Sequence, residues 1–331
     1  MSGRTTKTYK KPFNVFDYIK YIYTNHTYIF SFLLLLAIMV SINPDYLSFV
    51  SLSTLVMQST IKGILALGMT FIIISGMIDL SVGSNIAITA GLGIVILNKS
   101  ESIVLMLLFC VVFSVLLTAI IGLFVTKGRI APFVVTLAMA SIFRSIIVQL
   151  GQGGPFNVNS KMFQSFRMVA AGNIMKIPNM AIVFLVLTVV MILISTQTKF
   201  GRYVYAIGSN ETASRLTGIN VNRMKVRIYM LLGALTGVAS FLFASRMTSV
   251  TAANAGLNFE LDAIAAAIIG GTSFSGGRGR VLGTLFGALS LQMIENLLVA
   301  ARIPPFLTGL VKGTIILVAV LLQSKKDSKK A

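Results

Sequence analysis

The sequence predicts an all-α fold, a polytopic membrane bundle of about ten transmembrane helices with both termini on the cytoplasmic side. Three observations carry that expectation. Hydrophobic residues make up 56% of the chain and charged residues only 11%, against roughly 25% charged in soluble domains. Several windows of about 18 residues run without a charge, the length a helix needs to cross a bilayer. The basic residues collect between these runs and favour alternate loops. A transmembrane barrel is excluded by the same runs, because its strands alternate polar and apolar residues.

The spans centre on 29–42, 54–75, 80–97, 103–126, 132–150, 178–196, 226–245, 260–274, 281–301 and 306–323. Proline or glycine punctuates most junctions, as at Pro44, Pro132, Pro155, Pro178, Gly201 and Gly256, since neither residue favours continuing a helix. The polar, basic stretch 1–27 has no small-residue cleavage site after the first apolar run. It reads as a cytoplasmic tail ahead of an uncleaved span, with the membrane domain over 28–323. A second cytoplasmic tail covers 324–331.

Loop charges test this topology. The even loops carry Lys127 and Arg129, then Lys199, Arg202, Arg215, Arg223, Lys225 and Arg227, then Arg278 and Arg280. The odd loops hold Lys99, Lys161, Arg167, Lys176, Arg246 and Arg302. The excess falls on the even loops and makes them cytoplasmic. The short second loop and the eighth span leave room for re-entrant segments. The net charge of +19 is therefore a set of solvated loops and not a nucleic-acid surface; no basic domain interleaved with aromatics exists to bind one.

Small residues recur every fourth position at Gly83, Ala87 and Gly91, at Gly233 and Gly237, and at Gly279, Gly283 and Gly287. Such faces let helix backbones approach closely in lipid. Packing inside one bundle is the first expectation and a dimer face the alternative.

No catalytic constellation is present. His26 and Cys110 are the only histidine and cysteine, too few for a triad, a metal site or a disulfide. "GTSFSGGRGR" lacks the Lys-Ser/Thr of a phosphate-binding loop. The chain is expected to be no enzyme and to hold no cofactor. Acids within or beside spans are Asp79, Glu260, Asp262 and Glu295. The first three fall at predicted span edges. Glu295 lies at depth, where it pairs with a base such as Lys62, Arg144 or Lys312, or serves ion coupling.

The loop 197–225 is patterned. In "NETASRLTGI", Asn210 reads as an N-cap, Glu211 lies in the first turn, Arg215 and Leu216 occupy adjacent faces, and Gly218 stops the helix. Such a helix either docks in a soluble partner's groove or simply connects two spans in solvent.

At these residues the chain resembles a known family. "LALGMTFIIISGMIDLSVGS", "KGRIAPFVVTLAMASIFRSIIV", "GRYVYAIGSNETASRLTGINVNRMKV" and "IIGGTSFSGGRGRVLGTLFGAL" resemble segments of the ribose/galactose/xylose-type permease subunits of bacterial ABC sugar importers. The resemblance covers most of 55–323. It implies a polytopic inner-membrane helical bundle working as a pair of permease subunits, homo- or heterodimeric, in the lipid of the cytoplasmic membrane. An ABC ATPase subunit and an extracytoplasmic sugar-binding protein complete the machine. Glu211, Arg215, Leu216, Gly218 and Ile219 would form the ATPase-coupling helix. Asp79, Ser81, Gly83 and Ser84 carry over to one signature turn, and Gly276 and Gly277 to a second.

Asp79 heads the predicted third span. It is expected to cap that helix, to line the sugar pathway, or both. A neutral polyhydroxylated sugar needs hydrogen-bonding groups, and Ser81, Ser84, Asn85, Gln149, Gln292 and Asn296 are the candidates. A branched-chain amino-acid permease and an ion-coupled secondary carrier are the alternatives.

Overall fold

A computed structural model of the chain describes residues 27–304 and scattered positions between 307 and 321. The predicted tails and most of the tenth span, with Lys312, lie outside the described residues. The described chain is helical almost throughout. α1 spans Thr27–Ile42, α2 Phe49–Ile74, α3 Val82–Ser100, α4 Ile103–Thr126 and α5 Pro132–Leu150. After the short strand β1 (Pro155–Asn157) comes α6, Ser160–Ala171. β2 (Asn173–Ile174) and β3 (Ile177–Pro178) pair with each other before α7, Asn179–Gln197. α8 covers Lys199–Ser209, α9 Glu211–Leu216 and α10 Val221–Met247. β4 (Ser249–Thr251) pairs antiparallel with β1, Phe156 opposite Val250. α11 (Phe259–Ile269) and α12 (Val281–Ala300) follow.

Seven of these helices, α2 to α5, α7, α10 and α12, are long and apolar enough to cross a membrane. α1 is apolar but spans only 16 residues in the described chain. The predicted eighth span, 260–274, needs correcting. Gly270 and Gly271 end α11 after 11 residues, or about 16 Å of helix, half of the roughly 30 Å hydrocarbon core. Residues 252–258 reach α11 as a series of turns, so that passage is part irregular and part helical.

Burial sorts the helices in a way that reverses the rule for soluble proteins. The most hydropathic helix, α4, is only 22% buried, whereas α2 and α10 are 83% and 78% buried. Lipid accepts the apolar outer faces, so the interior is selected by fit and not by hydropathy. Fit comes from the small-residue faces. A Cβ on Gly237 would lie 2.5 Å from the Cys110 carbonyl oxygen of α4, and one on Gly287 2.0 Å from that of Ala266 in α11. Gly233 meets α4, and Gly283 meets Gly270. These faces all close contacts within one bundle.

α8 was not anticipated. It buries Gly201, Val204 and Ile207 on one face and leaves Arg202 and Tyr203 exposed. Its end packs against the end of α2, at the Ile74 carbonyl that also accepts the Gly277 N–H of the turn before α12 at 2.8 Å. A Cβ on Gly208 would come within 1.6 Å of that same oxygen.

Candidate functional site

The turn after α2 explains Asp79. Gly76, at φ +77°, takes the left-handed conformation that closes a helix. The Gly76 and Met77 amides donate back to Ile73 and Ile72 at 2.9 and 3.0 Å. The chain then runs on to α3, whose N-cap is Ser81 without a side-chain cap bond. Asp79 Oδ1 accepts the Ser81 N–H at 2.7 Å and the Ser81 hydroxyl at 2.6 Å. The expected cap is thus corrected to an Asx turn one step ahead of the helix, because the amide it takes belongs to the N-cap residue itself. Asp79 is completely buried, and its Oδ2 has no hydrogen-bond partner among the described residues.

This turn meets the start of α11. A Cβ on Gly83 would lie 2.2 Å from the Gly256 carbonyl oxygen and 2.4 Å from Glu260 Oε2. Arg144 of α5 fixes the segment before α11, donating through Nη1 to the Ala252 and Ala255 carbonyls, each at 2.7 Å. Asn85 accepts the Thr89 hydroxyl at 2.8 Å, while its Nδ2 is buried without a partner among the described residues. Asp79, Ser81, Gly83, Ser84 and Asn85 therefore form one buried junction. Gln149 stands apart, exposed on α5. Gly276 and Gly277 belong to the Ile74 junction at the end of α2.

None of those eight residues lines a cavity that lies beside the start of α2. About 470 Å³ opens between α1, the turn Pro44–Leu47, α2 and α12. Tyr46, Ser51, Thr54, Gln58 and Asn296 supply its polar lining, with Leu36 and Met39 among the apolar residues. Gln58 Oε1 is buried with no partner among the described residues. Asn296 Oδ1 accepts from Gln292 Nε2 at 3.1 Å. Ser51, Thr54 and Gln58 recur at helical spacing, and the next step on that face is Lys62.

Lys62 resolves the expectation about Glu295. Its ammonium binds Asp262 of α11 at 3.0 Å and makes a short contact with Glu295 of α12. Of the two candidate bases among the described residues, Lys62 pairs with Glu295 and Arg144 is committed elsewhere. Asp262, placed by sequence at a span edge, is almost fully buried beside it. An unpaired charge here would be costly, and the cluster ties three helices together by compensating charge.

The patterned loop folds as its sequence indicates. Asn210 Oδ1 accepts the Ala213 N–H at 2.9 Å and begins α9, and Gly218 follows its end at φ +85°. Leu216 is 85% exposed and projects from the protein, whereas Ile219 packs on the core. Glu211 and Arg215 are used internally. Glu211 binds Arg215 and, on α10, Lys225, both at 2.7 Å. Partial burial pushes the Glu211 carboxyl up, but the bonds and charges of Lys225 and Arg215 outweigh it and hold the group below the ordinary carboxylate range.

Comparison with known proteins agrees with this architecture. The family model for the branched-chain amino acid transport system / permease component matches residues 51–320. The ribose import permease protein RbsC of Bacillus subtilis (strain 168) is 40% identical over 297 residues, 89% of this chain and 92% of that protein. RbsC of Escherichia coli (strain K12) is 35% identical over 89% of this chain and 92% of its own. The galactose/methyl galactoside import permease protein MglC of Haemophilus influenzae is 31% identical, over 91% and 94%. No solved structure matches. With most of its length matched and its relatives covered nearly end to end, the chain belongs to the permease-component family of branched-chain amino acid transport systems, as a multi-pass protein of the bacterial cytoplasmic membrane.

Proposed function

We propose that this chain is the transmembrane subunit of an ATP-driven importer that carries a monosaccharide of the ribose or galactose kind into the cytoplasm. The observation that carries the reading is the cavity between α2 and α12. Its polar lining is made of hydroxyls and amides, among them Gln58, whose buried Oε1 has no partner among the described residues. Such groups suit a neutral polyol, which needs hydrogen bonds and no counter-ion. The ribose and galactose permeases among the relatives support the same substrate class. A second permease subunit, an ABC ATPase and an extracytoplasmic binding protein are the partners. α9, led by the exposed Leu216, is the proposed contact with the ATPase, and Gly218 and Ile219 set its end. Ten crossings with both termini inside fit the excess of basic residues at the α8–α9 end.

The family's description favours a second reading, a branched-chain amino acid. A zwitterion calls for fixed charges of both signs along the route, and Tyr46 is the one titratable residue in the described lining of the cavity. An ion-coupled carrier fits less well, since Glu295 is already engaged by Lys62. Reconstituted vesicles decide among the three. Uptake of labelled ribose or galactose should need ATP, the ATPase and the binding protein together, and Gln58→Leu should slow it about tenfold, the cost of a lost hydrogen bond of about 1.4 kcal/mol. Leucine uptake in place of sugar would establish the second reading. Sugar uptake by this chain alone under an ion gradient would establish the carrier.

A further inference from the structure

A second cavity, of about 560 Å³, lies at the α8–α9 end of the molecule, where α4 ends and α5 begins. Thr126, Arg129, Pro132, Glu211, Arg215 and Lys225 line it. Three cations face one carboxylate, a formal excess of two positive charges. Glu211 divides its two oxygens between Arg215 and Lys225. Arg129, exposed at the rim, has no ion pair or hydrogen bond among the described residues. The thiols, imidazoles and carboxylate sets that bind metals are missing from this lining, so the site suits an anion.

The surroundings identify which anion. Val125 and Ile130 form apolar parts of the wall. Immediately beside it, α4 and α5 present Leu123, Phe124, Phe133, Val134 and Leu137 outward, all substantially exposed. These are surfaces that acyl chains cover. A basic hollow bordered by a lipid-facing apolar belt combines the two halves of a phospholipid, phosphate and hydrocarbon.

We propose that this cavity is a binding site for the phosphate head group of an anionic phospholipid. Arg129 is its free cation, and Arg215 and Lys225 turn part of their hydrogen-bonding capacity from Glu211 to the phosphate. The head group then bridges the α4–α5 turn, α9 and the start of α10. It ties the proposed ATPase-contacting helix to the membrane surface, and this role is separate from sugar recognition.

The test uses the full chain with its ATPase and binding protein, in nanodiscs of phosphatidylcholine containing phosphatidylglycerol with a photoactivatable head group. Peptide mapping should place the label on 125–132 and 211–225. Arg129→Gln should lower labelling of these segments about fivefold, the effect of one basic residue near an anionic surface, while Arg129→Lys keeps most of it. Excess inorganic phosphate should leave the labelling unchanged. Equal labelling of wild type and Arg129→Gln would overturn the proposal. Loss of label to inorganic phosphate would reassign the site to the free ion and overturn it as well. Label found only when the ATPase is left out would show that the ATPase fills the cavity, with the same consequence. Because labelling needs no transport, failure here is distinct from failure of the sugar-importer reading.

Discussion

Two charge clusters in this protein are mirror images in composition. Around Lys62 one cation holds two carboxylates, Asp262 and Glu295; around Glu211 one carboxylate holds two cations, Arg215 and Lys225. The first is enclosed by α2, α11 and α12, with side chains 6–18% exposed. The second sits between α9 and α10, where Arg215 is 48% and Glu211 40% exposed. Similar chemistry therefore has different consequences. In the interior no solvent replaces a lost partner, so the pairing holds the bundle together. At the surface water and salt substitute, so the pairing positions a short helix without deciding whether the protein folds.

The largest test of this contrast is Lys62→Met. Taking the Lys62 ammonium away from two buried carboxylates should destabilise the protein by about 3–5 kcal/mol, seen as loss of monodisperse protein in detergent and a lower melting temperature. Adding Asp262→Asn and Glu295→Gln should restore most of it. A stable single variant would show that water reaches the cluster and would erase the contrast.

Asp79 sharpens the comparison as a buried carboxylate held by hydroxyl and amide donors instead of a cation. Asp79→Leu leaves the Ser81 amide and hydroxyl without their acceptor and should cost about 1–3 kcal/mol. Asp79→Asn keeps the acceptor and should cost under about 1 kcal/mol. Thermal melting of both variants checks this. An Asn variant as unstable as the Leu variant would mean that the charge itself matters.

The smallest effect belongs to Glu211. Its folded carboxyl sits below the ordinary value, against about 4.3 unfolded. The stabilisation is therefore complete above the unfolded value and is lost as pH falls through the folded one. Hydrogen exchange across 211–217, referenced to Glu211→Gln, should show the wild type protected at neutral pH and converging on the variant as pH falls below the unfolded carboxylate value of about 4.3. High salt should shrink the difference. Protection that rises on acidification would contradict the pairing.

Much of the fold was legible because bilayer helices announce themselves by length and hydropathy. α9 was legible because capping is local: Asn210 and Gly218 bracket it whatever surrounds them. α8 was missed because Gly201, Val204 and Ile207 make a narrow apolar face within a basic loop. Of the cavity's polar lining, Asn296 was among the expected pathway residues, and the part on α2 was missed for a different reason. Serine and threonine in α2 often bond their own backbone, as Ser53, Ser59 and Thr60 do. Residue type alone does not separate these from Ser51 and Thr54, which face the cavity. Lys62 and Glu295 are 233 residues apart, so their pairing depends on the assembled helices. The length of α11 was misjudged because its uncharged run continues past Gly270, while the helix stops there.

The shortness of α11 has a consequence for how the protein is made. A helix of 11 residues carrying Glu260 and Asp262 in its first turn is too short to span, and both acids oppose its transfer into lipid. It cannot leave the translocation machinery for lipid by itself. Lys62 and the Gly83 surface that receive it are synthesised earlier, whereas Glu295, the lysine's other partner, emerges later on α12. Biogenesis therefore has an order: α2 and α3 are in place first, α11 enters against protein and not against lipid, and α12 closes the arrangement.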